Sequence, residues 1–265
     1  MTAAQGASAA LDTAWAVPRG TPTMECDEVH VWRASLHVGR RRLLRLEESL
    51  SGDEKERACR YRFSRDRDRF MAARGILREI LGRYLSVPPG RLRFYYGAQG
   101  KPNLAAVARE SCGTRNDSNR SCGGLEFNVA HSGALALFAL SRGKPVGVDL
   151  ESIQFNMADW DVARTFFAPE EAAAIRALRP DLQAEAFFAC WTRKEAYLKA
   201  RGGGLSLPLD RFCVSLAPGE PAALRRTDGD GGGASWILHA LDLGPGYAAA
   251  IAVGGSGWAL RCWEY

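Results

Sequence analysis

The sequence predicts an α+β fold of two similar lobes, each a small antiparallel sheet with packed helices. Two segments have apolar residues at helical spacing, and short β-branched or alternating runs follow each of them. No Gly-x-Gly-x-x-Gly follows a strand, and helices do not alternate regularly with strands, which argues against a parallel doubly wound sheet. The 265 residues, 46% of them hydrophobic, suffice for two packed halves, which we place at 25–145 and 146–265 after a disordered extension at 1–24.

In the first half, alternating residues predict a strand at 28–36. A helix is expected from Ser64, a capping residue, to the chain before Pro88, because apolar residues recur there every three or four positions. Its polar face carries Arg67, Arg74 and Arg78. A strand at 92–96 and a polar, glycine-rich loop at 109–124 follow. Three further strands are predicted at 127–132, 135–141 and 146–151, the last two joined by a hairpin turn at Gly143-Lys144.

In the second half, Pro169 predicts the beginning of a helix, since proline is favoured in the first turn. A longer helix at 183–202 ends at the glycines of 202–204. Strands are predicted at 211–216, 235–241, 247–253 and 258–265, with a flexible hairpin loop at 228–233.

Charge and composition leave several classes of partner open. The net charge is +5, and the stretch 40–78 alone holds 13 Lys/Arg against 7 Asp/Glu. Such a patch can bind nucleic acid, a membrane surface, phosphates or an acidic protein. The seven cysteines include no Cys-x-x-Cys pair, so we expect free thiols in a reducing compartment. No secretory signal or apolar stretch long enough to span a membrane is present, which predicts a cytoplasmic protein.

Two segments carry acidic residues that can meet on one cation. Strand alternation places Asp149 and Glu151 on one face, about 7 Å apart. Glu195 and Lys199 share a helix face, since they are four residues apart. The plain alternatives are a hydrated acidic strand end and an ordinary surface ion pair. The functional interpretation makes the three carboxylates a magnesium site and Lys199 a phosphate contact.

Two weaker motifs precede these residues. His131 ends an apolar strand, where a lone histidine is more often a structural residue. The adjacent Ser132 suggests a hydrolase, but no Gly-x-Ser-x-Gly elbow surrounds it, so we assign it no nucleophilic role. Gly100-Lys101-Pro102 is a common turn with little meaning alone.

Together and in this order, the motifs GKP, FNVAHS, VGVDLE and WTRKEAYLKARGGGLSLPL resemble the 4′-phosphopantetheinyl transferases of the large, two-lobed type. The resemblance covers residues 29–253. It implies two lobes related by a pseudo-two-fold axis, with the active site in the cleft between them. It also implies transfer of the phosphopantetheine arm of coenzyme A to a serine of an acyl or peptidyl carrier protein, with release of 3′,5′-ADP.

The resemblance assigns roles to individual residues. Asp149, Glu151 and Glu195 match the Mg²⁺ ligands, and Glu195 is the expected general base. His131 and Lys199 match the pyrophosphate contacts, which makes Asp149, Glu195, Lys199 and His131 the expected catalytic set. The expected coenzyme A contacts also include Arg57, Arg69, Arg74, Gly100, Lys101 and Pro102.

One position departs from the family pattern. The residue before the histidine is often a phosphate-contacting serine, and here it is Ala130. Its backbone N–H can replace the hydroxyl at a cost of roughly 0.5–1.5 kcal/mol, the worth of one net hydrogen bond.

The implied partners are coenzyme A and an apo carrier protein of fatty acid, polyketide or nonribosomal peptide synthesis. We expect a monomer that binds neither nucleic acid nor membranes. Two rival functions are a non-catalytic coenzyme A-binding module, which would not need all three carboxylates, and a nucleic-acid-binding protein that uses the 40–78 patch.

Overall fold

The computed structural model describes residues 14–97, 102–105, 123–154, 160–202, 207–227 and 235–265. The α+β class is confirmed. The helices are α1 (Arg40–Glu48), α2 (Gly52–Cys59), α3 (Ser64–Leu85), α4 (Trp160–Phe166), α5 (Pro169–Ala177) and α6 (Pro180–Arg201). The strands are β1 (Glu28–Ser35), β2 (Phe94–Tyr96), β3 (Pro102–Leu104), β4 (Leu125–Ser132), β5 (Leu135–Arg142), β6 (Val146–Ser152), β7 (Phe212–Val214), β8 (Leu224–Thr227), β9 (Trp236–Ala240), β10 (Tyr247–Gly254) and β11 (Ala259–Glu264).

The chain builds the same topology twice. A strand, three helices, a short two-stranded ribbon and two further strands occur in each half. The strand order is β1-β5-β4 in the first half and β6-β10-β9 in the second, and all these pairs are antiparallel. The first strand of each half therefore pairs with the last. β11 then joins the sheet of the first half, parallel to β1.

Strand alternation stacks the elements in four layers. In β6, Val146, Val148 and Leu150 enter a core shared with β1 and β5, while residues 147, 149 and 151 face the other way. Separate apolar cores lie between each sheet and its own helices. The two sheets thus pack face to face, with helices on both outer sides.

The duplication extends to buried ion pairs. Arg78 is the fifteenth residue of α3, and Lys194 is the fifteenth residue of α6. Arg78 pairs with Glu54 of α2 at 2.7 Å, and Lys194 pairs with Glu171 of α5 at 2.7 Å. Each glutamate is the third residue of its helix and bonds back to the backbone N–H before that helix. Each cation also donates to two carbonyls at the ends of a 3-10 turn. Arg78 donates to Pro89 and Leu92, and Lys194 donates to Leu209 and Phe212.

Several predictions need correction. Gly143-Lys144 is not a hairpin turn, because β5 and β6 belong to different sheets. Arg78 is not on a polar face: it is 1% exposed in the pair with Glu54. The disordered extension is wrong for residues 14–24, since Ala16 bonds to both neighbours of Trp263 and Trp15 donates to the Asp242 carbonyl.

The cysteine expectation fails at one position. Cys26 is disulfide-bonded. Cys59, Cys190, Cys213 and Cys262 are free thiols as expected. The predicted loops at 228–233 and, apart from its last two residues, 109–124 lie outside the described residues. In the part of the chain that is described, no helix combines the length and apolarity needed to cross a membrane.

Candidate functional site

One accessible stripe runs along helix α6. Trp191, Glu195 and Lys199 are partly exposed, whereas the residues between them are buried. The spacing of four places all three on one side of the helix. Trp191 stacks on Phe187 with ring centroids 6.3 Å apart and packs against the core between α6 and its sheet. Glu195 and Lys199 are left as the polar part of the stripe.

Strand β6 lies directly against this helix because Gly147 has no side chain. A Cβ at Gly147 would come within 2.2 Å of the Ala196 carbonyl oxygen and 2.3 Å of the Ala200 nitrogen. No side chain larger than hydrogen fits there. The close approach brings Asp149, on the same face of β6, beside the end of α6 that carries Lys199.

Asp149 and Lys199 form a half-buried ion pair. The Lys199 Nζ lies 2.6 Å from Asp149 Oδ1 and 3.4 Å from the Val148 carbonyl oxygen. Asp149 is 4% exposed, and its second oxygen, Oδ2, is buried without a hydrogen-bond partner. One carboxylate oxygen is therefore neutralised and the other is not.

The three carboxylates repel one another. Burial raises the pKa of Asp149, and the Lys199 ammonium partly opposes this shift. Burial and the Asp149 charge raise the pKa of Glu151. Burial raises the pKa of Glu195, with further increases from Asp149 and Glu151. Such mutual repulsion shows that the predicted metal ligands lie within electrostatic reach of one another.

The side chains fit a magnesium ion by composition. Mg²⁺ prefers carboxylate oxygens together with substrate phosphates and water. The unpartnered Oδ2 of Asp149 and the raised pKa values are features that a divalent cation would relieve. Within the described ranges, no three acidic, His or Cys side chains are yet arranged closely enough to enclose a metal.

His131 and a group of arginines from the first half form a second charged cluster, and Lys199 lies within electrostatic reach of both this cluster and the carboxylates. His131 is exposed at the end of β4, yet burial by its neighbours removes part of its hydration and lowers its pKa. Lys199, Arg74, Arg57 and Arg69 lower the pKa further, in that order. The structure thus brings His131 together with the predicted coenzyme A contacts of α2 and α3.

Aromatic rings contact the guanidinium groups of two of these arginines. The guanidinium groups of Arg57 and Arg74 lie 5.3 and 5.8 Å from the Phe70 ring centroid. Arg74 also donates to the Tyr96 hydroxyl at 3.2 Å. The Nε of Arg69 is buried and has no hydrogen-bond partner. Planar guanidinium groups held in this way suit phosphate recognition.

The remaining predicted contacts are placed less favourably. Gly100 and Lys101 lie outside the described residues, and Pro102 begins β3. Ala130 is 5% exposed, and its side chain enters the core between the sheets, opposite to the His131 face. A serine side chain here would point into that core, so only the backbone of Ala130 remains available for a phosphate.

The sequence interpretation missed three residues that shape the site. Gly147 allows α6 to approach, and a glycine inside a strand was the available signal. Ser132 donates to Glu151 Oε2 at 3.0 Å, and Asn128 Oδ1 accepts from the Val148 N–H at 3.0 Å. No local signal identifies these two, since both contacts join strands of different sheets.

Comparison with known proteins identifies the family of this chain. The family described as "4'-phosphopantetheinyl transferase superfamily" matches residues 145–252, and "4'-phosphopantetheinyl transferase, N-terminal" matches residues 32–143. The 4′-phosphopantetheinyl transferase HetI of Nostoc sp. is 38% identical over 255 residues, covering 96% of this chain and 100% of that protein. The chain belongs to the 4′-phosphopantetheinyl transferase superfamily.

More distant members are similar over less of this transferase chain. The 4′-phosphopantetheinyl transferase Sfp of Bacillus subtilis is 25% identical over 202 residues, covering 76% of this chain and 81% of that protein. A holo-(acyl-carrier-protein) synthase structure from Bacillus anthracis, in complex with CoA (3',5'-ADP), has a TM-score of 0.36 at 18% identity, covering 42% of this chain and 96% of that chain. A similarity of that size carries no argument about the ligand.

The two matched segments of the transferase superfamily divide the site between them. The N-terminal match contains His131 and the arginines of α2 and α3. The second match contains Asp149, Glu151, Glu195 and Lys199. The link between β5 and β6 separates the matches, so the cationic and the acidic groups come from different parts of the duplicated fold.

Proposed function

We propose that this chain transfers the 4′-phosphopantetheine moiety of coenzyme A to a serine of an apo carrier protein and releases 3′,5′-ADP. The observation that carries the proposal is that Lys199 pairs with Asp149 and lies within electrostatic reach of both the carboxylates and His131, which is itself influenced by three arginines. Membership in the transferase superfamily supports it. A non-catalytic coenzyme A-binding module would not need the acidic half of this arrangement.

Asp149, Glu151 and Glu195 are the residues that would hold Mg²⁺. The ion would supply positive charge against the pyrophosphate oxygens. His131 and Lys199 would bind the same pyrophosphate, and Arg57, Arg69 and Arg74, with Lys101, would bind the 3′-phosphate. Phosphoryl transfer depends mainly on such positioning and charge stabilisation, so no covalent enzyme intermediate is required.

The proton transfer is assigned to Glu195. The serine oxygen of the carrier attacks the β-phosphorus of coenzyme A while Glu195 accepts the serine proton, directly or through water. The bond from the β-phosphorus to the bridging oxygen breaks, and its electron pair leaves with 3′,5′-ADP. The raised pKa of Glu195, caused by burial and by the neighbouring carboxylates, makes it a better base than a solvated glutamate. Lys199 stabilises the departing phosphate.

The proposal predicts a specific loss in Asp149→Ala. The protein would be incubated with fluorescent coenzyme A, Mg²⁺ and a panel of apo carriers, and both carrier labelling and 3′,5′-ADP release would be measured. We expect labelling by the wild type, no labelling after chelation of Mg²⁺ and none with Asp149→Ala, while circular dichroism shows a folded variant. Normal transfer by the folded Asp149→Ala variant would refute the proposed site.

The same panel identifies the carrier class among fatty acid, polyketide and nonribosomal peptide synthesis. The basic balance of the chain, +5 overall, suits an acidic carrier. A monomeric state, a cytoplasmic location and the lack of nucleic-acid and membrane partners stay predictions, as do the boundaries of the two lobes. Salt-dependent gel shifts and sedimentation would test the nucleic-acid and oligomer predictions.

A further inference from the structure

Strands β4 and β6 lie side by side although they belong to different sheets. β4 is the edge of the four-stranded sheet, and β6 is the edge of the three-stranded one. An edge strand leaves backbone donors without ladder partners. Here two side chains of β4 accept two backbone N–H groups of β6: Asn128 Oδ1 accepts from Val148, and Ser132 Oγ accepts from Ser152, both at 3.0 Å.

The two contacts lie the same even number of residue positions apart in both strands, as side-chain alternation requires. Asn128 and Ser132 are four residues apart in β4, as are Val148 and Ser152 in β6, so each contact repeats on the same face. Asn128 is 7% exposed, which makes its contact a buried one. The carboxylates of Asp149 and Glu151 lie within the stretch of β6 that the two contacts bracket.

Ser132 also contacts a carboxylate directly. Its Oγ lies 3.0 Å from Glu151 Oε2. Because the oxygen already accepts the Ser152 N–H, the hydroxyl proton is available to donate to Glu151. On the opposite face of β4, the preceding residue is His131, whose pKa is lowered by burial and further by the arginines Arg74, Arg57 and Arg69. One strand therefore connects the cationic half of the site to the acidic half.

We propose that Ser132 is a positioning residue that orients the Glu151 carboxylate, and that with Asn128 it sets the place of β6 relative to His131. The inference rests on the proposed function, because it concerns how Glu151 is presented to the cation and to the pyrophosphate. Outer groups that orient metal ligands typically contribute 10–100-fold in affinity or activity when they are removed. Ser132 touches neither the reacting phosphorus nor the attacking serine in this role.

The test compares Ser132→Ala with two variants and a matched control. Ser132→Thr keeps the hydroxyl and suits a strand. Ser132→Cys keeps the size but donates only weakly, and it carries the test if Ser132→Ala does not fold. The control is Ser141→Ala in the neighbouring strand β5, which removes a buried hydroxyl bonded to the Lys144 carbonyl.

Electron paramagnetic resonance measures the affinity of the protein for Mn²⁺ in the presence of 3′,5′-ADP. This measurement tests the metal site without requiring turnover. We expect Ser132→Ala to weaken Mn²⁺ binding about 10-fold or more and to lower kcat, with a smaller change in KM for coenzyme A. Ser132→Thr should restore both quantities, and Ser132→Cys should fall between. Ser141→Ala should keep Mn²⁺ affinity and kcat, whatever its melting temperature. In a Glu151→Gln background, the Ser132→Ala effect on Mn²⁺ binding should vanish.

Unchanged Mn²⁺ affinity and kcat in Ser132→Ala would overturn the inference, as would an equal loss in Ser141→Ala or persistence of the effect without Glu151. Failure of the proposed function has a different signature. In that case the wild-type protein itself would neither bind Mn²⁺ with 3′,5′-ADP nor label any carrier.

Discussion

Lys199 occupies the position of a counter-ion for Asp149. Its ammonium lies 2.6 Å from the only Asp149 oxygen that has a hydrogen-bond partner in the structure. A divalent cation and Lys199 would therefore compete for the same carboxylate until the pyrophosphate offers the lysine another anion. We therefore predict two opposite effects of Lys199: weaker metal binding to the free protein and stronger phosphate binding in the complex.

Replacing Lys199 with Met should separate these effects. We expect transfer to fall about 10²–10³-fold, the usual effect of removing one group that stabilises developing charge. Binding of Mn²⁺ to the protein without coenzyme A should become tighter, because Asp149 is released. Steady-state kinetics and a metal titration measure the two effects. Arg201→Met, which removes an exposed charge from the same helix, is the control and should change neither. Weaker metal binding by Lys199→Met would contradict the competition.

His131 should take up protons when phosphates bind. In the free protein, burial and the neighbouring cations hold its pKa below the usual value of 6.5, so it is mostly neutral at that pH. A bound pyrophosphate adds negative charge and raises the pKa, so ligand affinity should increase as pH falls through the interval between the two values. Calorimetry of coenzyme A binding at pH 6.5, in buffers of different ionisation enthalpy, counts the protons taken up.

The expected result is uptake of a fraction of a proton by the wild type and by His37→Gln, which alters an exposed histidine. The uptake should be absent in His131→Gln. Equal uptake by His131→Gln and the wild type would mean that another group titrates.

At the scale of elements, the contact of β6 with α6 depends on Gly147. Alanine there would place Cβ within 2.2–2.3 Å of backbone atoms of α6, which cannot rotate away as a side chain would. Gly147→Ala should therefore displace the helix, lower the free energy of unfolding by about 1–3 kcal/mol and reduce transfer more than stability alone requires. Urea unfolding and kinetics at a temperature where the variant is folded would measure this.

The control for this prediction is Gly52→Ala. A Cβ at Gly52 meets no atom within 4 Å, and this residue begins α2, so alanine should be neutral or slightly stabilising. Similar losses in both variants would show that helix approach at Gly147 is not what matters.

Elements with strong local signals were predictable from the sequence. Helices α3 and α6 have apolar residues at helical spacing. Helix α3 ends at Leu85, shortly before Pro88, and α6 ends at Arg201, just before Gly202. The acidic face of β6 followed from alternation alone. Helices α1 and α2 were missed because charged residues dominate their sequences, although Ser51-x-x-Glu54 forms the capping box that marks the beginning of α2.

The contacts between elements were not predictable in the same way. The arrangement of the two sheets determines which elements contact β6. The residues next to them in sequence therefore predict neither the Ser132–Glu151 hydrogen bond nor the close approach of α6 to Gly147. The burial of Arg78 was missed for the same reason: its partner Glu54 lies on another helix. The motif order identified the site residues, but the tertiary contacts that hold them required the structure.

At the scale of the whole molecule, the two duplicated halves use equivalent helix positions differently. Glu79 and Arg83 of α3 stand at the positions that Glu195 and Lys199 hold in α6, the sixteenth and twentieth residues of each helix. Glu79 accepts hydrogen bonds from Arg42 and from the Tyr265 hydroxyl, and its side chain stays 22% exposed. The C-terminal Tyr265 therefore engages, in one half, the position that Glu195 holds in the other.

The two buried ion pairs test whether the duplicated halves fold as one unit. Glu54→Gln and Glu171→Gln each leave a buried cation, Arg78 or Lys194, without its charged partner, which typically costs about 3–5 kcal/mol. Because a single apolar core joins the two sheets, we expect each variant to shift one common urea transition, with far-UV circular dichroism and tryptophan fluorescence coincident. The exposed Glu56→Gln should shift nothing. Separate transitions, with one variant destabilising only the first and the other only the second, would instead show that each half unfolds on its own.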